Sequence, residues 1–136
     1  MNLKHFFILA LSVAAFTSCK KDDDNGGGGG TESPSVITIT VPTTGQIILN
    51  GTAFKVEGTI ADNNSLASAR VEIRNKTTSA VYYNQTTTTP NTTFFRFDWT
   101  WTVSGITATT PATVKVTARD ANGVEISKEM DVVLEN

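Results

Sequence analysis

Phe95-Arg96-Phe97-Asp98-Trp99-Thr100-Trp101-Thr102-Val103 decides the fold. Each odd position is large and apolar and each even one is polar. That period of two marks a strand with one face in a core and the other in water. The same rhythm recurs on both sides of this stretch. Upstream, Ile37, Ile39 and Val41 alternate with threonines until Pro42 and Gly45 end the run. Phe54, Val56, Gly58 and Ile60 share a face, with Lys55, Glu57 and Thr59 opposite. Ala69, Val71 and Ile73 point inward, with Arg70, Glu72 and Arg74 outward.

Residues 80–85 read as a short edge strand. Downstream, Val114, Val116 and Ala118 alternate with Lys115, Thr117 and Arg119, and the last run sets Val124, Ile126, Met130, Val132 and Leu134 on one side. Lys128 interrupts that face, which predicts a bulge or a sheet-end position there. Asp62-Asn63-Asn64-Ser65 is a turn cluster, and Asp120-Ala121-Asn122-Gly123 a tight turn between antiparallel strands. No stretch carries a helical stripe. About seven short strands within roughly one hundred residues predict an all-β fold, an antiparallel β-sandwich. Threonine is abundant because a branched, half-polar side chain suits a pleated surface.

The chain has 136 residues, a single-domain length, and a net charge of -2 with no basic stripe, so no nucleic-acid partner is expected. His5 and Cys19 are the only histidine and cysteine. With both placed near the front, the remainder has no imidazole or thiol for Ser-His-Asp, Cys-His or ordinary zinc chemistry. No disulfide can form within the chain, so the domain rests on its core.

Met1–Lys4 is positively charged and residues 6–16 are almost wholly apolar. A charged start, a short apolar run and then small residues form a secretory signal, and the run is shorter than the roughly 20 residues a membrane-spanning helix needs. Phe16-Thr17-Ser18-Cys19 resembles the lipobox of bacterial lipoproteins in the relaxed form common in Bacteroidota, with Phe16 in place of leucine. The resemblance implies a signal peptide over 1–18 and acylation of Cys19, hence palmitate-type chains and a membrane partner through that anchor. Cleavage after Val13-Ala14-Ala15, leaving a free thiol, is the alternative. Lys20-Lys21-Asp22-Asp23-Asp24 resembles the export signal that carries such lipoproteins to the outer face of the outer membrane; otherwise it is a solvated charge cluster. With Gly26–Gly30 following, residues 19–34 read as a lipidated, acidic and glycine-rich tether. From Lys20 to Ser33 it spans at most ~45–50 Å.

Residues 35–136 resemble the bacterial immunoglobulin-like domains of secreted and surface proteins, through Gly58…Asp62, Ala69-Arg-Val-Glu-Ile73 and Val116-Thr-Ala-Arg-Asp-Ala-Asn-Gly123. Immunoglobulin cysteines are absent, so no antibody kinship is implied. In such a sandwich the loops at 61–66 and 120–123 share an end. If the first strand begins there, the tether leaves beside them, and 43–50, 75–79 and 105–111 face away.

Several side chains are candidate ligand groups. Asp62, Asn63, Asn64, Asp120 and Asn122, with Glu125, offer oxygens for a structural calcium, although Asp and Asn are also the ordinary residues that close turns with their own side chains. Trp99, Trp101, Phe95, Phe97 and Tyr83 offer ring faces for a sugar, but strict alternation on one strand assigns that strand's aromatics to the core. Tyr82, Tyr83 and Phe94 fall out of the core phase and are the surface candidates for ligand binding. Asp98 and Glu72 could serve as a glycosidase-like carboxylate pair, yet both lie on polar strand faces where solvated charge is expected. The Asn-x-Thr/Ser triplets at Asn50, Asn63, Asn75, Asn84 and Asn91 read as a by-product of Asn and Thr abundance. The sequence therefore reads as a non-catalytic cell-envelope lipoprotein of the outer membrane, used for adhesion or accessory binding to a protein or glycan. The alternative is a carbohydrate-binding module of a polysaccharide-uptake system.

Overall fold

The computed structural model describes residues 34–136. The leader, Cys19 and the tether up to residue 33 lie outside them. The described chain contains β1 (Val36–Val41), β2 (Ile47–Leu49), β3 (Ala53–Asn75), β4 (Val81–Thr102), β5 (Thr110–Asp120) and β6 (Glu125–Glu135). All of it is strand, turn or loop.

The two long strands build both layers. The first half of β3 pairs with β1 (Val36↔Ala61 through Val41↔Glu57) and with the second half of β4 (Ala61↔Phe94 to Ala53↔Thr102). The second half of β3 pairs with β5 and with the first half of β4. β6 continues from β5 in one unbroken register, Thr110↔Leu134 to Arg119↔Glu125. β2 then adds to β6 in parallel. One layer is β1–β3–β4 and the other β4–β3–β5–β6–β2, with the β3–β4 hairpin folded across from one to the other.

The fold of that hairpin comes from staggered bulges. Between Ala61↔Phe94 and Leu66↔Thr92, the four residues 62–65 oppose Thr93 alone. Between Leu66↔Thr92 and Ser68↔Thr88, the three residues 89–91 oppose Ala67 alone. Extra residues on alternate sides bend and twist a ribbon without parting its strands. The predicted turn at 62–65 is therefore real as chemistry, since Asp62 Oδ1 accepts the Asn64 N–H at 2.8 Å. It kinks a continuous strand where a break was expected. All seven expected runs are strand, but four of them fuse into β3 and β4, and β2 is an addition.

Ile37, Phe54, Val56, Ile60, Val71, Ile73, Phe97, Trp99, Val114, Val116, Val132 and Leu134 are buried in one core. Each such side chain contributes about 1.5–3 kcal/mol relative to exposure. Gly58 shares this inner face. A Cβ there would meet the Thr38 carbonyl oxygen at 2.0 Å and Phe97 Cζ at 2.5 Å, so the ring of Phe97 occupies the space a side chain would take.

Three expectations need correcting. Lys128 causes no bulge: it pairs directly with Val116 in an unshifted ladder, at the part of β6 whose neighbours Ile126 and Met130 are only half-buried. Val124 precedes β6 and is 61% exposed. Glu72 is not a solvated charge; it is buried and bonded by the Arg74 guanidinium.

Candidate functional site

Two ends of the sandwich carry the candidate residues. At the first, Val36 pairs with Ala61 beside the 62–65 bulge. Ala121 N–H donates to the Ser65 carbonyl at 2.8 Å, so the 120–124 turn meets that bulge. The two loops thus share an end, and the described chain begins there, which meets the condition on which the tether leaves beside them. Asp120 is 3% exposed. Its Oδ2 accepts from Asn64 Nδ2 at 3.0 Å and its Oδ1 from the Val124 N–H at 2.7 Å. Asp62, Asn64 and Asp120 are thus joined in one hydrogen-bonded chain. Among the described residues no three His, Cys, Asp or Glu side chains group together.

Phe94 lies near the same end, 58% exposed. The register aligns it with Ala61 and Val36 in a row across the outer face of the first layer.

The opposite end holds an aromatic cluster. Ile73 pairs with Tyr83 and Arg74 with Val81, which leaves Tyr82 as an extra, unpaired residue. Consecutive residues of a regular strand point to opposite faces; a bulge relaxes that rule. Both tyrosines accordingly stack on Trp101, with ring centroids 6.3 Å (Tyr82) and 5.9 Å (Tyr83) away and each pair inclined at 16°. All three rings are half-buried against the core. Asn75 Nδ2 donates to the Tyr82 hydroxyl at 3.0 Å, and the Tyr83 hydroxyl donates to Gln85 Oε1. Burial raises the Tyr83 phenol above its ordinary pKa, so it stays a neutral donor well into alkaline solution. Parallel rings with hydroxyls at their margin form a surface that can stack a flat apolar ring and hydrogen-bond its rim.

Of the aromatics expected in the core, Phe97 and Trp99 are there, stacked at 4.7 Å, with Trp99 Nε1 donating to Thr87 Oγ1 at 3.1 Å. Trp101 is not fully enclosed and belongs with the tyrosines. The structure therefore unites Tyr82 and Tyr83 but not Phe94. Phe94 is seven positions from Trp101 along β4, roughly 23 Å at 3.3 Å per residue. Asp98 and Glu72 point outward from different layers, with Asp98 beside Lys55 and Glu72 held by Arg74.

Sequence reasoning did not single out the outer face of the second layer. There Ser68, Arg70, Thr86, Thr117, Arg119 and Glu125 line a shallow cleft of about 210 Å³. Their outward phase was readable, but nothing in the spacing gathers them until β3, β4 and β5 are set in register.

No protein-family model matches the chain, and no curated protein matches it. Among solved structures it is similar to the fibronectin(III)-like modules of Clostridium thermocellum CbhA, with TM-score 0.50 and 17% identity, covering 73% of this chain and 94% of that one. It is also similar to murine CRIg, with TM-score 0.44 and 8% identity over 76% of this chain and 98% of that one. A third likeness is to CopC from Methylosinus trichosporium OB3b, with TM-score 0.45 and 10% identity over 74% and 93% of the respective chains. At such identities the likeness is one of fold alone: the described residues form an all-β, immunoglobulin-like sandwich.

Proposed function

We propose that this chain is a non-catalytic binding module held at the bacterial cell envelope by a lipid on Cys19, serving adhesion or accessory binding outside the cell. The observation that carries it is the placement of the Tyr82–Trp101–Tyr83 cluster. These half-buried rings, with both tyrosine hydroxyls hydrogen-bonded, lie at the end of the sandwich away from residue 34, where the tether joins. A module tied down at one end and bearing its stacking surface at the other is arranged to meet a partner in front of the membrane. The lysine-and-aspartate run after Cys19 supports display on the outer face of the outer membrane.

A second reading, a carbohydrate-binding module of a polysaccharide-uptake system, is favoured by the rings themselves, since stacked aromatic faces with hydroxyl rims suit pyranose sugars. Two measurements test the pair. Metabolic labelling with a fatty-acid analogue is expected to mark the wild-type chain and not Cys19→Ser; equal labelling of both removes the anchor. A glycan array is expected to show sugar binding that Trp101→Ala and Tyr83→Ala abolish if the second reading holds. Retention of protein binding with no glycan signal leaves the first.

A further inference from the structure

β4 has a partner on one side only. Along its whole length that partner is β3, and no described residue pairs with its other edge. Sheet edges left open this way are usually blunted by charged side chains (lysine above all), proline, bulges or inward charges. The first part of β4 has such features, namely the Tyr82 bulge and the kink at 89–91. Phe94–Thr102 has neither a bulge nor a kink, and its only charges are the opposite pair Arg96 and Asp98. It runs nine residues in unshifted register from Ala61↔Phe94 to Ala53↔Thr102, without glycine, proline or lysine. Its backbone donors and acceptors on the free side form an undistorted template for another strand.

The side chains specify which strand. Phe94, Arg96, Asp98, Thr100 and Thr102 face outward on this stretch. If a second Phe94–Thr102 lies antiparallel to the first about a two-fold axis at Phe97, Arg96 falls opposite the partner's Asp98 and Asp98 opposite the partner's Arg96. Phe94 then meets the partner's Thr100. An axis at residue 96 or 98 instead opposes two arginines or two aspartates, and axes at 95 or 99 leave both charges facing uncharged side chains. Only one register is self-complementary. Both charges are available for it. Arg96 has no ion-pair partner among the described residues. Asp98 has only Lys55 at 3.7 Å, and Lys55 is closer to Glu57, at 3.2 Å.

We infer that Phe94–Thr102 is a homodimerisation edge, pairing antiparallel with the same stretch of a second copy in the register centred on Phe97. The pairing joins the two first layers into one continuous sheet of six strands, with two reciprocal Arg96–Asp98 pairs on its outer face. It leaves the Tyr82–Trp101–Tyr83 cluster of each copy in place and, because the paired strands run antiparallel, sets the two clusters at opposite ends of the dimer.

Sedimentation of the full chain in detergent tests this with Arg96→Asp, Asp98→Arg and the double exchange, each checked for folding by circular dichroism. The wild type is expected to dimerise reversibly with concentration. Either single exchange opposes like charges twice and is expected to weaken the dimer about tenfold, and the double exchange to restore it. A wild type that stays monomeric, a dimer indifferent to the single exchanges, or one that the double exchange fails to restore overturns the inference. Hydrogen exchange on the unmutated chain gives a second readout. The amides of 94–102 are expected to gain protection as concentration rises while those of 81–88 do not, and equal behaviour of the two stretches also overturns it.

Discussion

Two aromatic stacks lie on one strand of this protein, two residues apart. Phe97 and Trp99 are 1% and 5% exposed and inclined at 18°. Trp101 is stacked by Tyr82 and Tyr83 at 16° and is half-buried. Phe97, Trp99 and Trp101 belong to the same alternating face of β4, so their phase does not separate them. What separates them is what lies opposite. Gly58 faces Phe97 across the β3–β4 ladder, and its missing side chain lets the ring settle onto the backbone of β1. Trp101 lies near the end of its ladder, packed on the margin of the core and stacked by two tyrosines brought together by a bulge. Identical periodicity can thus supply a core and a surface, according to how far along the sandwich a residue stands.

The contrast is open to direct attack. The largest effect is expected from Phe97→Ala, which empties a fully enclosed site and costs about 3–5 kcal/mol in chemical unfolding. A loss below about 1 kcal/mol shows that the inner stack is not structural. Gly58→Ala comes next, at about 1–3 kcal/mol for overpacking, because the new methyl must displace a backbone carbonyl as well as the ring. Trp101→Ala is expected to cost only about 1–2 kcal/mol, since half-buried surface returns less on burial, yet to remove ligand binding by the module. A cost equal to that of Phe97→Ala erases the distinction between the stacks.

The smallest effect concerns the margin of the outer end. There the hydrogen bond from Lys76 holds the exposed Asp131 carboxyl below its ordinary value of 3.8, and Thr113 Oγ1 donates to it as well. A carboxyl depressed in the folded state contributes stability that is complete above its unfolded pKa and lost as pH falls through the folded one. Melting temperature is therefore expected to fall slightly more for the wild type than for Asp131→Asn as the solution is taken from about pH 5 to about pH 2. Parallel curves sever that link.

The layers were readable from residues whose period matched a strand with one dry face. Phe54, Val56 and Ile60 declared it, as did Val71 and Ile73, and these form the core. The loop convergence was also readable, because in an immunoglobulin-like sandwich the segments at 61–66 and 120–123 share an end. Other features needed three dimensions. Asp62–Ser65 reads as a break, yet the strand passes through it, since a bulge and a turn draw on the same residues and differ only in whether the partner strand continues. Ile47–Leu49 is too short to show a period and becomes a strand only because β6 is beside it. Lys128 looks like a fault in β6 and is accommodated because its neighbours on that face, Ile126 and Met130, are themselves only half-buried. The tyrosine pair is the clearest case. Two adjacent aromatics have no common phase in a regular strand, so their joint packing on Trp101 depends on a register shift that no spacing announces.

The path of β1 has a mechanical consequence. It starts at the end where residue 34 joins the tether and runs toward the far end, bonded along its length to β3. A tug on the anchor, resisted by something gripped at the far end, acts along that strand's axis. The bonds from Val36 to Val41 then bear the load together in shear instead of unzipping in turn. In single-molecule stretching from the N-terminal side, one abrupt rupture is expected, where peeling would give a slow yield.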